Sequence, residues 1–148
     1  IESKATVGTA ESCTGGALAA AIVAVAGSSA YFQGGLLTYS NELKNQILGV
    51  NPDHFETVGA VSEEVVKEMA IGGMKNLIVD YCVSISGIAG PNGGTDEKPV
   101  GTVWIAAASK KRVVARKFLF EDHRERNIQR TVLAALNYLR VEILDLNS

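Results

Sequence analysis

Apolar residues recur along this 148-residue chain with two periods. Alternating or short continuous apolar runs are typical of strands, and apolar positions three or four residues apart are typical of helices. Strands are therefore predicted over residues 5–10, 31–39, 79–86, 100–108 and 112–120. Helices are predicted over 18–25, 41–48 and 62–77 and, after residue 123, through Ile128, Val132, Leu136, Leu139 and Ile143. Residues 51–61, with Pro52 and Gly59, are predicted to form a loop. Strands that alternate with helices indicate one α/β domain.

Residues 11–16, with the sequence Glu-Ser-Cys-Thr-Gly-Gly, form a polar corner between the first predicted strand and helix. Such a corner places hydroxyls and free backbone N–H groups at the carboxyl end of a strand, where open α/β sheets bind ligands. We therefore place the candidate active site here. The alternative is structural: Ser12 or Thr14 only caps the helix, and Gly15-Gly16 only permits a tight turn. Cys13 has no matched histidine partner and is expected to pack.

A second corner of this kind begins at Tyr39. Ser40 is predicted to cap the helix over 41–48, and Gly49 is predicted to end it. Leu43 and Ile47 share one face of that helix, and Lys44 is expected to face another direction. A phenol, a hydroxyl and an amine thus lie within about one and a half helical turns. Taken alone, Tyr39 is equally consistent with packing, and Lys44 with a solvated surface position.

Two further features suggest an anion site. Residues 87–95 form the most glycine-dense stretch of the chain, and such a loop after a strand can present several N–H groups to an anion. The stretch matches neither the Walker A nor the dinucleotide-binding pattern. Arg124, Arg126 and Arg130 lie in the first turns of the last predicted helix, where cations oppose the helix dipole. Solvent, the neighbouring Glu121 and Asp122, or an anionic ligand would offset them.

Composition and charge exclude several classes of protein. A net charge of −2 and a pI near 5.7 leave no basic footprint for nucleic acid, and the cluster 110–112 is read as a hairpin turn. No apolar segment is long enough to span a membrane, so a soluble, cytoplasmic protein is expected. Two cysteines and two histidines make neither a disulfide framework nor a zinc site. We expect no metal and no other cofactor.

With these segments in place, the sequence resembles the C-terminal domain of the competence-damage-inducible protein CinA. The resemblance is carried by five ordered blocks, at residues 9–16, 35–44, 59–62, 86–94 and 98–103. It implies a three-layer α/β/α sandwich with a mixed sheet, in one domain over 1–148 that lacks an N-terminal helix. It also implies hydrolysis of nicotinamide mononucleotide to nicotinic acid mononucleotide and ammonia, in pyridine-nucleotide salvage.

The resemblance assigns roles to residues as well. It implies Ser12 as nucleophile, Lys44 as its base and Tyr39 close to the pair. An oxyanion formed at Ser12 needs donors, and the N–H groups of Cys13 and Thr14, or those around Gly15-Gly16, are the candidates at the helix start. The expected substrate-binding residues are Thr14, Gly15, Gly16, Ser86, Gly87, Gly90, Gly94 and Arg124. Residues 122–124 read Asp-His-Arg where relatives more often read Gly-Asp-Arg, so only the arginine is matched. Assembly as a homodimer or larger is expected. The alternative function is a nucleotide-binding or regulatory module without catalysis.

Overall fold

The computed structural model describes residues 1–147, with side chains up to residue 143, and contains one five-stranded sheet. The strands are β1 (Val7–Glu11), β2 (Phe32–Leu37), β3 (Tyr81–Gly87), β4 (Thr102–Ser109) and β5 (Val113–Leu119). The helices are α1 (Ala17–Val23), α2 (Asn41–Leu48), α3 (Asp53–Thr57), α4 (Glu63–Leu77) and α5 (Arg124–Asn147), with a short 3-10 helix at Ser28–Ala30.

The sheet is mixed, with strand order β2-β1-β3-β4-β5. Strand β1 pairs in parallel with both β2 and β3. Strand β4 runs antiparallel to β3, and β5 antiparallel to β4, as the predicted hairpin requires. The carboxyl ends of β1, β2 and β3 therefore meet at one edge of the sheet, and the turns that follow these strands lie side by side.

Helices cover both faces of the sheet, which confirms the predicted three-layer α/β/α architecture. On one face α1 and α5 pack over a core that includes Leu18, Val83, Ile85 and Leu139. On the other face α4 packs over two smaller clusters around Met69 and Val66. Strand β3 is buried on both faces because it is central. Its polar position Ser84 is satisfied by a 2.6 Å hydrogen bond to the carbonyl of Val66.

Local signals at α2 act as predicted. The Ser40 hydroxyl accepts a hydrogen bond from the N–H of Leu43 at 3.1 Å, so it caps the helix. Gly49 adopts a left-handed conformation, with φ of 71°, and ends the helix. The orientation of α2 was not predicted. Leu43 and Ile47 remain partly exposed, and the buried residues of this helix are Lys44 and Leu48.

The predicted loop over 51–61 is wrong in part, because it contains the short helix α3. Pro52 at the helix start and Asp53 in the first turn both favour a helix N-terminus. Five helical residues followed by Gly59, however, are too few to show an apolar period. The segment after α3 carries Ala60 and Val61 to the edge of the sheet where β1, β2 and β3 end.

Helix α5 is long and amphipathic. It buries Val132, Ala135 and Leu139 against the sheet, and it exposes Leu133. Its charged residues lie toward the two ends, and residues 131–139 carry no charge. Across the part of the chain that the structure describes, no helix is both long and apolar enough to cross a membrane.

Candidate active site

A cleft of about 320 Å³ lies at the edge of the sheet where the three parallel strands end. Its walls come from four turns and from the start of α5. The lining residues are Ser12, Cys13, Tyr39, Asn41, Lys44, Ala60, Val61, Ser86, Gly87, Ile88, Ala89, Gly90, Asn92, Gly93 and Arg124. These residues include the permanent cation Arg124 and the titratable amine of Lys44, and no carboxylate. The cleft is therefore suited to a ligand that is neutral or anionic.

Glu11, to which the sequence analysis gave no role, holds the turn after β1 in place, and this turn forms one wall of the cleft. Its buried carboxylate accepts hydrogen bonds from the N–H of Leu18 at 2.9 Å and of Ala19 at 3.0 Å, in the first turn of α1. The Thr14 hydroxyl donates to the same carboxylate at 2.6 Å. The prediction that Ser12 or Thr14 caps α1 is therefore wrong, because Glu11 reaches forward to do so. Ser12 is left free to face the cleft.

Ser12 and Lys44 come together in this cleft. The Lys44 Nζ donates a hydrogen bond to Ser12 Oγ at 3.0 Å, across 32 residues of sequence. Both side chains are buried, with 1% of Lys44 and 7% of Ser12 exposed. The contact joins the turn after β1 to the second turn of α2. It brings together the two residues that the sequence resemblance paired.

Two carbonyl groups fix the direction of the Lys44 amine. The oxygens of Thr38 and Tyr39 accept from Nζ at 2.9 and 3.0 Å, so three acceptors surround it. Carbonyl oxygens accept but never donate. When the amine is neutral, its two N–H bonds are held by the carbonyls and its lone pair faces Ser12 Oγ. This is the arrangement that removal of the serine proton requires.

The surroundings of Lys44 shift its equilibrium toward the neutral amine. Burial lowers the pKa of Lys44 from 10.5 to about 8, and the neighbouring Cys13 opposes this change. No carboxylate forms an ion pair with Lys44 among the side chains described up to residue 143. Burial also raises the pKa of the Cys13 thiol to about 11, so this thiol is neutral near pH 7. Ser12, not Cys13, is the better candidate nucleophile.

Backbone N–H groups are available beside Ser12. In the described part of the chain, the N–H groups of Cys13 and Thr14 make no hydrogen bond to another backbone group. The N–H of Gly15 donates to the Ser12 carbonyl at 3.0 Å and is occupied. Cys13 lines the cleft and Thr14 does not, so the N–H of Cys13 is the better placed donor for an oxyanion formed next to Ser12.

Arg124 and Asn127 tie the glycine-rich loop to α5. Arg124 donates to the carbonyl of Gly90 at 2.7 Å. The buried Asn127 side chain donates to the carbonyls of Ala89 and Glu121 at 3.0 and 2.9 Å. Arg124 is paired with no carboxylate among the described side chains. The loop is thus held at one end of the cleft, with an unneutralised guanidinium beside it.

The other predicted site residues fall into two groups. Ser86, Gly87 and Gly90 line the cleft, as does Tyr39, which is 63% exposed. The Ser86 hydroxyl donates to the carbonyl of Ala60 at 2.8 Å. The residues that do not line the cleft are Thr14, Gly15, Gly16 and Gly94. Tyr39 contacts Lys44 through its carbonyl, so the main chain, not the phenol, orients the amine.

Sequence reasoning also missed Asn41 and Asn92, which line the cleft, and Asn127, which supports it. A carboxylate directly before the polar corner was a usable signal for Glu11, because acids near a helix start bind its free N–H groups. Asn127 gave no comparable signal, since its partner Ala89 is 38 residues away. In residues 1–143 no three His, Cys, Asp or Glu side chains are grouped as a metal ion would require.

Comparison with known sequences identifies close relatives. The CinA C-terminal domain matches residues 1–143. The nicotinamide-nucleotide amidohydrolase PncC of Escherichia coli (strain K12) is 51% identical over 141 residues, which cover 95% of this chain and 86% of that protein. A CinA-like protein of Endomicrobium trichonymphae is 50% identical over 144 residues. The chain spans 34% of that protein's length, so it corresponds to about a third of the CinA-like relatives.

Solved structures agree in fold. The competence damage-inducible protein A (ComA) from Klebsiella pneumoniae subsp. pneumoniae MGH 78578 superposes with a TM-score of 0.92 at 36% identity, covering 97% of this chain and 89% of that chain. The competence/damage inducible protein CihA from Agrobacterium tumefaciens gives the same TM-score at 38% identity, covering 99% and 88%.

The role of Glu11 can be tested by replacing it with glutamine. Glu11→Gln turns a charged acceptor of three hydrogen bonds into a neutral amide, whose NH₂ group can only donate and so cannot accept from the same donors. Hydrogen bonds to a buried charged group contribute about 1.5–3 kcal/mol, so the free energy of unfolding should fall by roughly that amount. Urea denaturation measures it. Glu2→Gln, at an exposed position, is the matched control and should change nothing. Equal stability of the two variants would contradict the capping role.

Proposed function

Because the chain belongs to the CinA C-terminal domain family, we propose that it hydrolyses the carboxamide of nicotinamide mononucleotide. The products are nicotinic acid mononucleotide and ammonia, which places the reaction in pyridine-nucleotide salvage. The observation that carries the proposal is the 3.0 Å contact between Lys44 Nζ and Ser12 Oγ in a cleft without carboxylates. An amide is a poor electrophile, so its attack needs an activated nucleophile and donors for the oxyanion.

In the first half of the proposed reaction, neutral Lys44 takes the proton from Ser12 Oγ. The serine oxygen attacks the carboxamide carbon, and the N–H of Cys13, which lines the cleft, holds the oxyanion. The ammonium of Lys44 then returns the proton to the departing nitrogen, which leaves as ammonia. A nicotinyl ester on Ser12 remains. Tyr39 lines the cleft and keeps Lys44 directed through its carbonyl, and we propose its phenol as a second proton donor for the leaving group.

In the second half, a water molecule replaces the departed ammonia. Lys44 removes a proton from this water, and the water oxygen bonds to the ester carbon. The ester bond to Ser12 then breaks, the serine oxygen recovers the proton from Lys44, and nicotinic acid mononucleotide is released. Lysine acts as the base in both halves because the cleft contains no histidine and no carboxylate. This follows the general logic of a nucleophile with one adjacent base, of which serine–lysine pairs are a known variant.

The phosphate of the substrate is assigned to the Arg124 end of the cleft. A helix N-terminus after a strand is the usual phosphate site in α/β folds, but Glu11 already fills that position at α1. A second anion there would meet the carboxylate. Arg124 beside the loop carbonyl of Gly90 has no such competitor. The substrate therefore lies with its carboxamide at Ser12 and its phosphate toward α5.

Ammonia release from nicotinamide mononucleotide tests the pair directly. Ser12→Ala should lower kcat/KM by roughly 10³-fold or more, and Lys44→Met by about 10²–10⁴-fold, as expected for loss of a nucleophile and of a general base. Cys13→Ala is the matched control from the same turn and should retain activity, because its thiol takes no part. A chelator should leave turnover unchanged.

Three results would contradict the proposal. Unchanged activity in Ser12→Ala would exclude Ser12 as the nucleophile. Loss of activity in Cys13→Ala alone would indicate that the Cys13 thiol is the nucleophile. Loss of turnover on chelation would require a metal. A wild-type protein that binds the nucleotide but releases no ammonia would support the non-catalytic binding module instead.

The pH dependence follows from Lys44. The reactive form is the neutral amine, and its pKa is about 8. Below pH 8 the neutral fraction falls about tenfold for each pH unit, so kcat/KM should rise with pH at that slope and level off above pH 8. A rate profile from pH 5.5 to 9.5 measures it. A profile that is flat across this range would exclude Lys44 as the base.

Arg124→Gln tests where the phosphate binds. Loss of charge-assisted hydrogen bonds to the phosphate should raise KM for the mononucleotide by about 10- to 100-fold with little change in kcat. Nicotinamide riboside, which lacks the phosphate, is the matched substrate. The variant and the wild type should cleave it equally. An equal loss on both substrates would show that Arg124 supports the cleft instead of binding the phosphate.

A further inference from the structure

The last turn of α2 lies directly against the backbone of α4 at Gly72. A Cβ atom built at Gly72 would lie 2.0 Å from the carbonyl oxygen of Leu48 and 2.7 Å from its carbonyl carbon. These atoms belong to the main chain and cannot rotate away as the end of a side chain can. Any side chain at position 72 would therefore push the whole end of α2 outward.

A side chain one turn further along α4 holds the same end of α2. The Asn76 Nδ2 donates to the carbonyl of Ile47 at 2.9 Å and to the carbonyl of Gly72 at 2.8 Å. Asn76 thus bridges the two helices where Gly72 lets them touch. Gly72 sets how closely α2 and α4 approach each other, and the hydrogen bonds of Asn76 oppose their separation.

Lys44 is coupled to this contact by the rigidity of α2. It lies one helical turn before Leu48, and its own carbonyl accepts a hydrogen bond from the N–H of Val50 at 3.2 Å. Ser12 belongs to a different unit, the corner between β1 and α1. We infer that Gly72 and Asn76 are positioning residues for Lys44, because their contact with the end of α2 sets how close its amine comes to Ser12.

The expected displacement is large enough to matter. Relief of the 2.0 Å overlap requires α2 to withdraw by about 1 Å, since real Cβ contacts below 3.0 Å essentially do not occur. The Lys44–Ser12 contact of 3.0 Å would then exceed the range of a good hydrogen bond. Withdrawal would also admit water around a side chain that is now 1% exposed. Water around the amine stabilises its charged form.

Gly73 is the matched control on the same helix. A Cβ at this position would meet the Sγ of Cys82 at 2.6 Å and the Cβ of Ala10 at 3.2 Å. Both atoms belong to side chains of the sheet, and neither belongs to α2. Gly73→Ala should therefore lower stability without moving Lys44 away from Ser12.

The test is a titration of the lysine side chains by NMR, with ¹³C at Cε and with Lys44→Met to assign the Lys44 signal. In Gly72→Ala and in Asn76→Ala the pKa of Lys44 should rise from about 8 toward 10.5, and in Gly73→Ala it should stay near 8. The other titratable or charged groups at the cleft, Cys13, Tyr39 and Arg124, are the same in all variants. For each unit by which the pKa rises, kcat/KM at pH 7 should fall about tenfold.

An unchanged Lys44 pKa in the folded Gly72→Ala and Asn76→Ala proteins would overturn the inference, as would an equal change in Gly73→Ala. If Gly72→Ala does not fold, Asn76→Ala decides the outcome alone. The conclusion that this positioning serves catalysis rests on the proposed amidase activity. The titration of Lys44 is independent of that activity. A shifted pKa in a protein that releases no ammonia would keep the positioning role and reject the amidase.

Discussion

The cleft depends on the burial of one amine without a counterion. Desolvation favours the neutral form of Lys44, and a carboxylate beside it would reverse that preference. The nearest carboxylate in sequence to Ser12 is that of Glu11, and it points into the first turn of α1. The acceptors left for the amine are two carbonyls and one hydroxyl. Helix capping by Glu11 and the basicity of Lys44 are thus parts of one arrangement.

The mixed topology of the sheet explains how distant residues reach this cleft. Parallel pairing of β1 with β2 and β3 brings three strand ends to one edge, and each following turn contributes to the walls. The antiparallel hairpin β4–β5 then reverses the chain, so that α5 begins at the same edge. Arg124 is therefore delivered beside the loop that follows β3, although 34 residues separate it from Gly90.

Features encoded by neighbouring residues could be predicted from the sequence, and features set by distant packing could not. The Ser40 cap, the Gly49 end and the bounds of α2 depend on local signals, and all were predicted. The burial of Lys44 depends on Gly72, Thr38 and Ser12, which no helical period reveals. The apolar pair Leu43 and Ile47 did not indicate the buried face either, because both residues are exposed. Pairing of Ser12 with Lys44 came from family resemblance, because 32 residues of intervening chain leave no spacing rule.

The two cationic side chains of the cleft, Lys44 and Arg124, lie on different helices, α2 and α5. A guanidinium close to Lys44 would lower its pKa by repulsion, yet the pKa of Lys44 responds to burial and to Cys13. Arg124 instead lowers the pKa of Cys13, in opposition to the larger effect of burial. The permanent charge can therefore attract an anionic group while the amine keeps a pKa set by its own surroundings. In the proposed reaction, phosphate binding at α5 and proton transfer at α2 are therefore carried by different helices.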